Sequence, residues 1–345
     1  MSIENINLED IKLTPLLDTL RLQKIDDDVY FSKKYSHYIS NSRLSLLNPD
    51  QGGSPEKFFN GFTPTYSDAF SLGSNVHALI LQNDLFQLVE EVNKPTAKLG
   101  AIADELYPIF KERNIEYDDI IKAATKIDYY KGNLNEKKLE KVLESCLPYW
   151  DSRMRFESTY NGDKVLIYSD PKSRETVRNC VGALNSNSTV QNLLHPTGIL
   201  NDPISRNEQA ILLDIEVQVP NKEKFSLSLK AKLDNYTIDF DTNTITVNDV
   251  KTIGKILSEM NNNISRFHYN REFAVYSYLL NLCAEKHYNI SNPTIKGNYL
   301  VVSTIPKYYT KVIPLTKAMF KEGFMEFRYL LKLVSYYYSE GYRFK

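Results

Sequence analysis

The spacing of apolar positions changes near residue 200. Before it, they recur mostly at helical intervals; after it, three runs alternate apolar and polar. Residues 210–219 (AILLDIEVQV), 225–233 (FSLSLKAKL) and 244–251 (TITVNDVK) read as strands. The first two are parted by the turn Pro220-Asn221-Lys222-Glu223-Lys224; residues 236–241 lead to a second turn at Asp241-Thr242-Asn243. Residues 259–287 predict a long helix, 298–304 (NYLVVST) a further strand, and 315–338 a tyrosine-rich closing helix. Upstream, residues 68–90 predict a buried helix carrying His77, and residues 172–194 an amphipathic helix with Val177, Val181 and Leu184 on one face. Residues 38–62 open on an N-cap at Ser40 or Ser42, place Leu44 and Leu47 at helical spacing, and break at Gly52-Gly53-Ser54-Pro55. The pattern predicts a leader over residues 1–37 with one helix, then a single domain over 38–345 with a charged helical insertion at about 100–160. The expected class is α/β (α+β): a mixed sheet with an antiparallel meander, flanked by helices, behind a helical N-terminal half.

The meander concentrates the candidate chemistry. Residues i and i+2 of a strand share a face, so Asp249 and Lys251 project together while Val250 points inward. Asp234 follows the second alternating run, and hairpin pairing brings it to the same end. Two carboxylates can hold Mg²⁺ or Mn²⁺ against a phosphate, and a neighbouring ammonium can orient water or offset charge growing on phosphorus. A solvated salt bridge on a hairpin end uses the same residue types. Other acid-x-lysine triplets, Asp10-Ile11-Lys12, Glu136-Lys137-Lys138 and Asp170-Pro171-Lys172, lack the strand–turn–strand setting. In the last, Pro171 would disturb a ladder after a candidate strand at Val165–Ser169.

At these residues the sequence resembles a family. The run Leu229-Lys230-Ala231-Lys232-Leu233-Asp234, followed by Asn248-Asp249-Val250-Lys251-Thr252, resembles the PD-(D/E)XK core of RecE-type (exonuclease VIII-like) phage and prophage exonucleases. It is more distantly similar to the RecB nuclease domain and lambda exonuclease. Further segments agree in order: Ser40-Asn41-Ser42-Arg43-Leu44 with Ser54-Pro55 and Phe58, Gly73-Ser74-Asn75-Val76-His77-Ala78-Leu79, Tyr269-Asn270-Arg271-Glu272 through Tyr276, and the aromatic ending Tyr336–Tyr342.

The resemblance implies a metal-dependent exonuclease that hydrolyses linear double-stranded DNA, 5′ to 3′, in phage-type recombination, with Mg²⁺ or Mn²⁺ as cofactor. It implies Asp234 and Asp249 as metal ligands, the Val250 carbonyl as a third oxygen donor, and His77 completing or flanking the metal site. Lys251 would position or activate the attacking water, and Glu272 and Tyr269 would line the site. The family's upstream glutamate corresponds to Glu208 or Glu216. A single-strand annealing protein and a ring-shaped homo-oligomer are the implied partners. The sequence departs from the family at Lys232-Leu233-Asp234, where the motif reads Arg-Pro-Asp, at Glu272, which replaces a glutamine, and near Ser303, where an acid is frequent. Two alternatives use the same core: a catalytically inactive DNA-binding or assembly protein, and a structure-specific endonuclease. Without the resemblance, His77 reads as a core histidine, as do His37, His195, His268 and His287 as ordinary residues.

Composition narrows this further. The 345 residues carry a net charge of -1, so a DNA-binding surface must be local rather than a property of the whole chain. Basic and tyrosine side chains interleave over residues 307–345, which suits either phosphate tracking with base stacking or a packed terminal helix. Cys146, Cys180 and Cys283 are far apart, which argues against a disulfide framework or zinc cluster and for a reducing compartment. No apolar run approaches the ~20 residues that span a bilayer, and the N-terminus lacks a signal-peptide pattern, so the expected location is the cytoplasm.

Overall fold

The computed structural model describes residues 7–61, 68–129, 135–198 and 200–344, with side chains left aside at 68–70. The start of the leader and the middle of the 100–160 segment fall outside these residues. In chain order the elements are β1 (Lys12–Lys24), α1 (Asp27–Tyr30), α2 (Asn41–Ser45), α3 (Pro55–Asn60), α4 (Asp68–Leu81), β2 (Phe86–Glu90), α5 (Ala97–Glu112), α6 (Tyr117–Lys126) and α7 (Glu136–Thr159). They continue with β3 (Val165–Ser169), α8 (Pro171–Ser186), α9 (Ser188–Leu194), β4 (Ile204–Gln218), β5 (Phe225–Asp239) and β6 (Thr244–Ile253). The last are α10 (Met260–Arg266), α11 (Tyr269–Tyr288), β7 (Thr294–Ser303), β8 (Thr310–Pro314) and α12 (Lys317–Ser339). The protein is a mixed α/β structure, and no helix among the described residues is long and apolar enough to cross a membrane.

Two compact units divide the chain: Met1–Leu81 with Asn179–Lys345, and Gln82–Arg178. The first holds a six-stranded sheet in the order β1-β4-β5-β6-β7-β8, antiparallel except for the β6–β7 pair. Its core forms where Ile211, Leu213 and Ile215 of β4, Leu229 and Leu233 of β5, and Val247 of β6 meet Phe273, Leu279 and Leu280 of α11 and Leu330 and Val334 of α12. Helix α12 crosses α11 closely at Gly323, where a Cβ would lie 2.1 Å from the Asn270 carbonyl oxygen, so only glycine fits. The second unit packs α5, α6 and α7 around Ile102, Leu106, Tyr149 and Trp150, whose indole N–H donates to the Ala103 carbonyl at 2.8 Å; β2 and β3 pair in parallel beside them.

Several expectations need correction. The leader's main element is a strand: β1 lines the sheet edge against β4, with a register break between Leu16 and Arg21. Pro15 is tolerated there because an edge strand needs only one ladder. The helix expected over 68–90 ends at Leu81, and Phe86–Glu90 pairs with β3 instead. The helix expected over 172–194 divides at Asn187, whose side chain caps α9. The helix expected over 259–287 breaks at His268, which has φ 53°. The tyrosines of the closing stretch divide between the two readings: Tyr338 stacks on Phe225, and Tyr342 and Phe344 close over Phe59, whereas Tyr309 and Tyr329 are exposed.

Lys230 of β5 has a measurable signature. It is buried, donates to the Tyr30 carbonyl at 2.8 Å and lies 4.3 Å from the Tyr30 ring centre. Among the described residues no carboxylate pairs with it. Burial, then the nearby Arg43 charge, pushes its ammonium down to about 8. Between that value and the ordinary 10.5, the unfolded chain holds more protons than the fold, so stability rises with pH across this window. Lys230→Met should therefore exceed the parent in stability at neutral pH, with the gap narrowing toward pH 10.5. Urea midpoints across that range check it; a gap that widens with pH refutes it.

Candidate active site

Three neighbouring strands each carry an acid at one level of the sheet. The β4–β5 register runs through Asn207–Asn235 and Gln209–Leu233, which sets Glu208 across from Asp234. The β5–β6 ladder runs from Asp239–Thr244 to Asn235–Asn248, and the next residues along are Asp234 and Asp249. There the strands part. The Val250 N–H donates to Asp234 Oδ2 at 2.8 Å, so a side chain stands where a ladder carbonyl would otherwise serve. Glu208 adopts φ 53°, a left-handed conformation costly for any residue with a Cβ, and it interrupts the ladder at the same level.

Helix α4 brings His77 to this fork. Gly73, one turn earlier, lets the helix approach β6: a Cβ there would lie 3.1 Å from Thr252 Oγ1. His77 Nδ1 is 3.3 Å from Asp234 Oδ2. One ligand atom from each of His77, Glu208 and Asp234 lies within 4.8 Å of the others. Lys232 flanks the group, 2.8 Å from Glu208 Oε2 and paired also with Asp27.

Lys251 builds the other half. Its Nζ donates to Glu272 Oε2 at 3.0 Å and sits 2.8 Å from Asp249 Oδ2, at an angle that leaves this oxygen without an aligned hydrogen bond. The Tyr269 ring lies 4.6 Å from Nζ, and the Tyr276 hydroxyl donates to Glu272 Oε1 at 3.1 Å. The extra negative charge at Glu272 is thus taken up by Lys251.

Electrostatics follow from crowding acids out of water. Burial alone would raise Asp234, but His77, Lys251 and the Val250 N–H outweigh it and hold the carboxyl below its ordinary value. Asp249 goes the other way: burial, with the charges of Asp234 and Glu272, raises it well above the ordinary range despite Lys251. Burial and Asp234 likewise raise Glu208. Lys251 would be lowered by burial, yet Asp249, Glu272 and Asp234 raise it well above 10.5. His77 rises to about 9, burial being overcome by Asp234. The cluster is an acidic pocket that favours added positive charge.

The structure gathers Asp234, Asp249, Lys251, Glu272, Tyr269 and His77 into one cluster, with Val250 joined through its N–H. Glu208 stands with His77 and Asp234, while Asp249 lies beside Lys251. Glu216 lies apart, paired with Lys224 at 2.8 Å near the β4–β5 hairpin. Asp234 also lies inside β5 rather than at its end, because Tyr236 and Ile238 continue the buried alternation. Asp170, of the strongest competing triplet, is occupied locally: its Oδ1 accepts the Lys172 and Ser173 N–H groups, each at 3.0 Å.

No protein-family model and no curated protein matches the sequence. Among solved structures, that of a "Putative exonuclease" from Eubacterium rectale is similar over 90% of this chain and 87% of that one, with 10% identity and a TM-score of 0.43. At that distance the likeness assigns neither family nor activity.

The donor set of two carboxylates and one imidazole could hold a metal ion, and the unaligned buried Asp249 Oδ2 leaves further oxygen capacity beside it.

Proposed function

We propose that this protein is a metal-dependent deoxyribonuclease of the PD-(D/E)XK type, acting as a RecE-like exonuclease on linear duplex ends, 5′ to 3′. One observation carries the reading: His77, Glu208 and Asp234 converge within 4.8 Å, beside a lysine held between Asp249 and Glu272. His77, Glu208 and Asp234 would hold Mg²⁺ or Mn²⁺, with Asp249 adjacent. Such an ion, when bound, polarises the phosphate and lowers the pKa of its water.

The chain's own residues divide the remaining work. Lys251 stays protonated between two carboxylates, so it donates rather than accepts: it orients the attacking water and offsets charge on the phosphate oxygens. Glu272, fixed by the Tyr276 hydroxyl, aims that ammonium. Asp234 holds the fork open by taking the Val250 N–H. His77 must be neutral to act as a ligand, so loading the site would release its proton.

Digestion of linear duplex labelled at the 5′ or 3′ end, with Mg²⁺, tests the reading. The parent should degrade linear DNA and leave closed circles intact. Asp249→Ala and Lys251→Ala should retain the fold and lose cleavage by about a hundredfold or more, the scale of removing one transition-state electrostatic partner. Cutting of closed circles would instead favour a structure-specific endonuclease. Full activity in the Asp249 variant would refute the site.

A further inference from the structure

Asn207, Asn235, Asn248 and Asn298 stand at one level of β4, β5, β6 and β7. Their amides form a one-way chain. Asn298 Nδ2 donates to Asn248 Oδ1 at 3.0 Å, Asn248 Nδ2 to Asn235 Oδ1 at 2.8 Å, and Asn235 Nδ2 to Asn207 Oδ1 at 2.7 Å. Asn207 Nδ2 then donates to the Leu81 carbonyl at 2.7 Å. The second N–H of Asn235 reaches Ser205 Oγ at 3.0 Å, and that of Asn248 reaches the Leu193 carbonyl at 3.1 Å.

Asn235 and Asn248 are fully buried, at 0% exposure. A buried amide row is costly unless every member is partnered, and apolar residues would fill the space without that condition. Its placement gives it a use. On β4, β5 and β6 each asparagine adjoins an acid of the site: Asn207 and Glu208, Asn235 and Asp234, Asn248 and Asp249. Sliding one strand by a residue would exchange its amide for its acid and break the chain, so the row fixes the level at which the acids meet. The relay's last acceptor belongs to α4, one turn beyond His77. The final carbonyls of a helix lack intrahelical partners, and Asn207 supplies one here.

We propose that the asparagine chain is a positioning relay for the metal site. It sets Glu208, Asp234 and Asp249 side by side and ties α4 to the sheet so that His77 meets Asp234 and Glu208. None of the four amides is a catalytic residue; they act through the acids and through the helix. The inference rests on the metal-site reading above.

Mn²⁺ binding to the full chain, followed by the loss of the free-ion electron paramagnetic resonance signal, tests it independently of cleavage. Asn207→Ala should raise the Mn²⁺ Kd roughly ten- to hundredfold, the usual cost of losing an outer-shell support. Its cleavage rate at saturating Mn²⁺ should stay within about threefold of the parent, because the reacting groups are intact. Asn298→Ala removes only the first link, keeps the tie to α4, and should bind Mn²⁺ within about threefold of the parent. Should the alanine variant fail to fold, Asn207→Ser, too short to reach both partners, takes its place. An Asn207 variant that is folded by circular dichroism and binds Mn²⁺ as the parent does overturns the relay alone. A parent that binds no Mn²⁺ overturns the metal-site reading and the relay with it.

Discussion

Replacing Asp234 by asparagine is expected to lower metal-dependent DNA cleavage at least a thousandfold while leaving the protein folded. Asparagine keeps an oxygen where Asp234 accepts the Val250 N–H, so the parting of β5 and β6 survives. What is lost is the charge that pairs with His77 and would hold the ion. A metal acting as Lewis acid supplies several kcal/mol, and ~4 kcal/mol corresponds to about a thousandfold in rate. Two opposing effects bear on the fold. The variant loses the favourable pairing that holds the Asp234 carboxyl below its ordinary value. It also relieves Glu208 and Asp249, both of which the Asp234 charge pushes upward. Because the two act in opposite directions, the melting temperature should shift less than either effect alone would move it. Digestion of end-labelled duplex, with thermal unfolding alongside, decides it; cleavage within tenfold of the parent would remove Asp234 from the centre of the site.

The α/β class and the β4–β6 meander were legible because half-buried strands write a period of two into the sequence, as in AILLDIEVQV and FSLSLKAKL. Edge strand β1 was not, since most of it is exposed and its register breaks midway. The break before α11 was hidden because a left-handed histidine, rather than glycine or proline, makes it. Asp234, Asp249 and Lys251 stood out by residue type and spacing. Residue type does not separate Glu208 from Glu216, and in the sequence only the place of Glu208 just before the first alternating run favours it. The register opposite Asp234, with the left-handed turn at Glu208, sets them apart in the structure. The asparagine row is written in the sequence at four distant places and becomes a row only when four strands align. Arg271 was invisible for the same reason, its partners lying far away in the chain.

Replacing that arginine should produce a large loss of stability from outside the acid cluster. Arg271 is buried at 0% exposure and directs every part of its guanidinium to a partner. Nε donates to Asn41 Oδ1 at 2.7 Å, Nη1 to Glu326 Oε1 at 2.7 Å, and Nη2 to Ser45 Oγ at 2.5 Å and the Asn41 carbonyl at 3.3 Å. One side chain thereby joins α2, α11 and α12. Arg271→Leu would remove the partner of Asn41 Oδ1 and Ser45 Oγ and the guanidinium paired with Glu326, and breaking a buried charged pair costs about 3–5 kcal/mol. Glu326 keeps His268 at 2.8 Å and the Asn48 amide at 2.8 Å, and is itself partly exposed, so the low end of that range, about 3 kcal/mol, is expected. Arg271→Lys should rescue little, because a single ammonium cannot reproduce a planar fork serving three helices. Urea unfolding measures both. Because Arg271 adjoins Glu272 yet points away toward α2, the folded fraction of the leucine variant should retain Mn²⁺ binding, unlike Asp234→Asn. A leucine variant as stable as the parent would show that the clasp among these helices contributes nothing net.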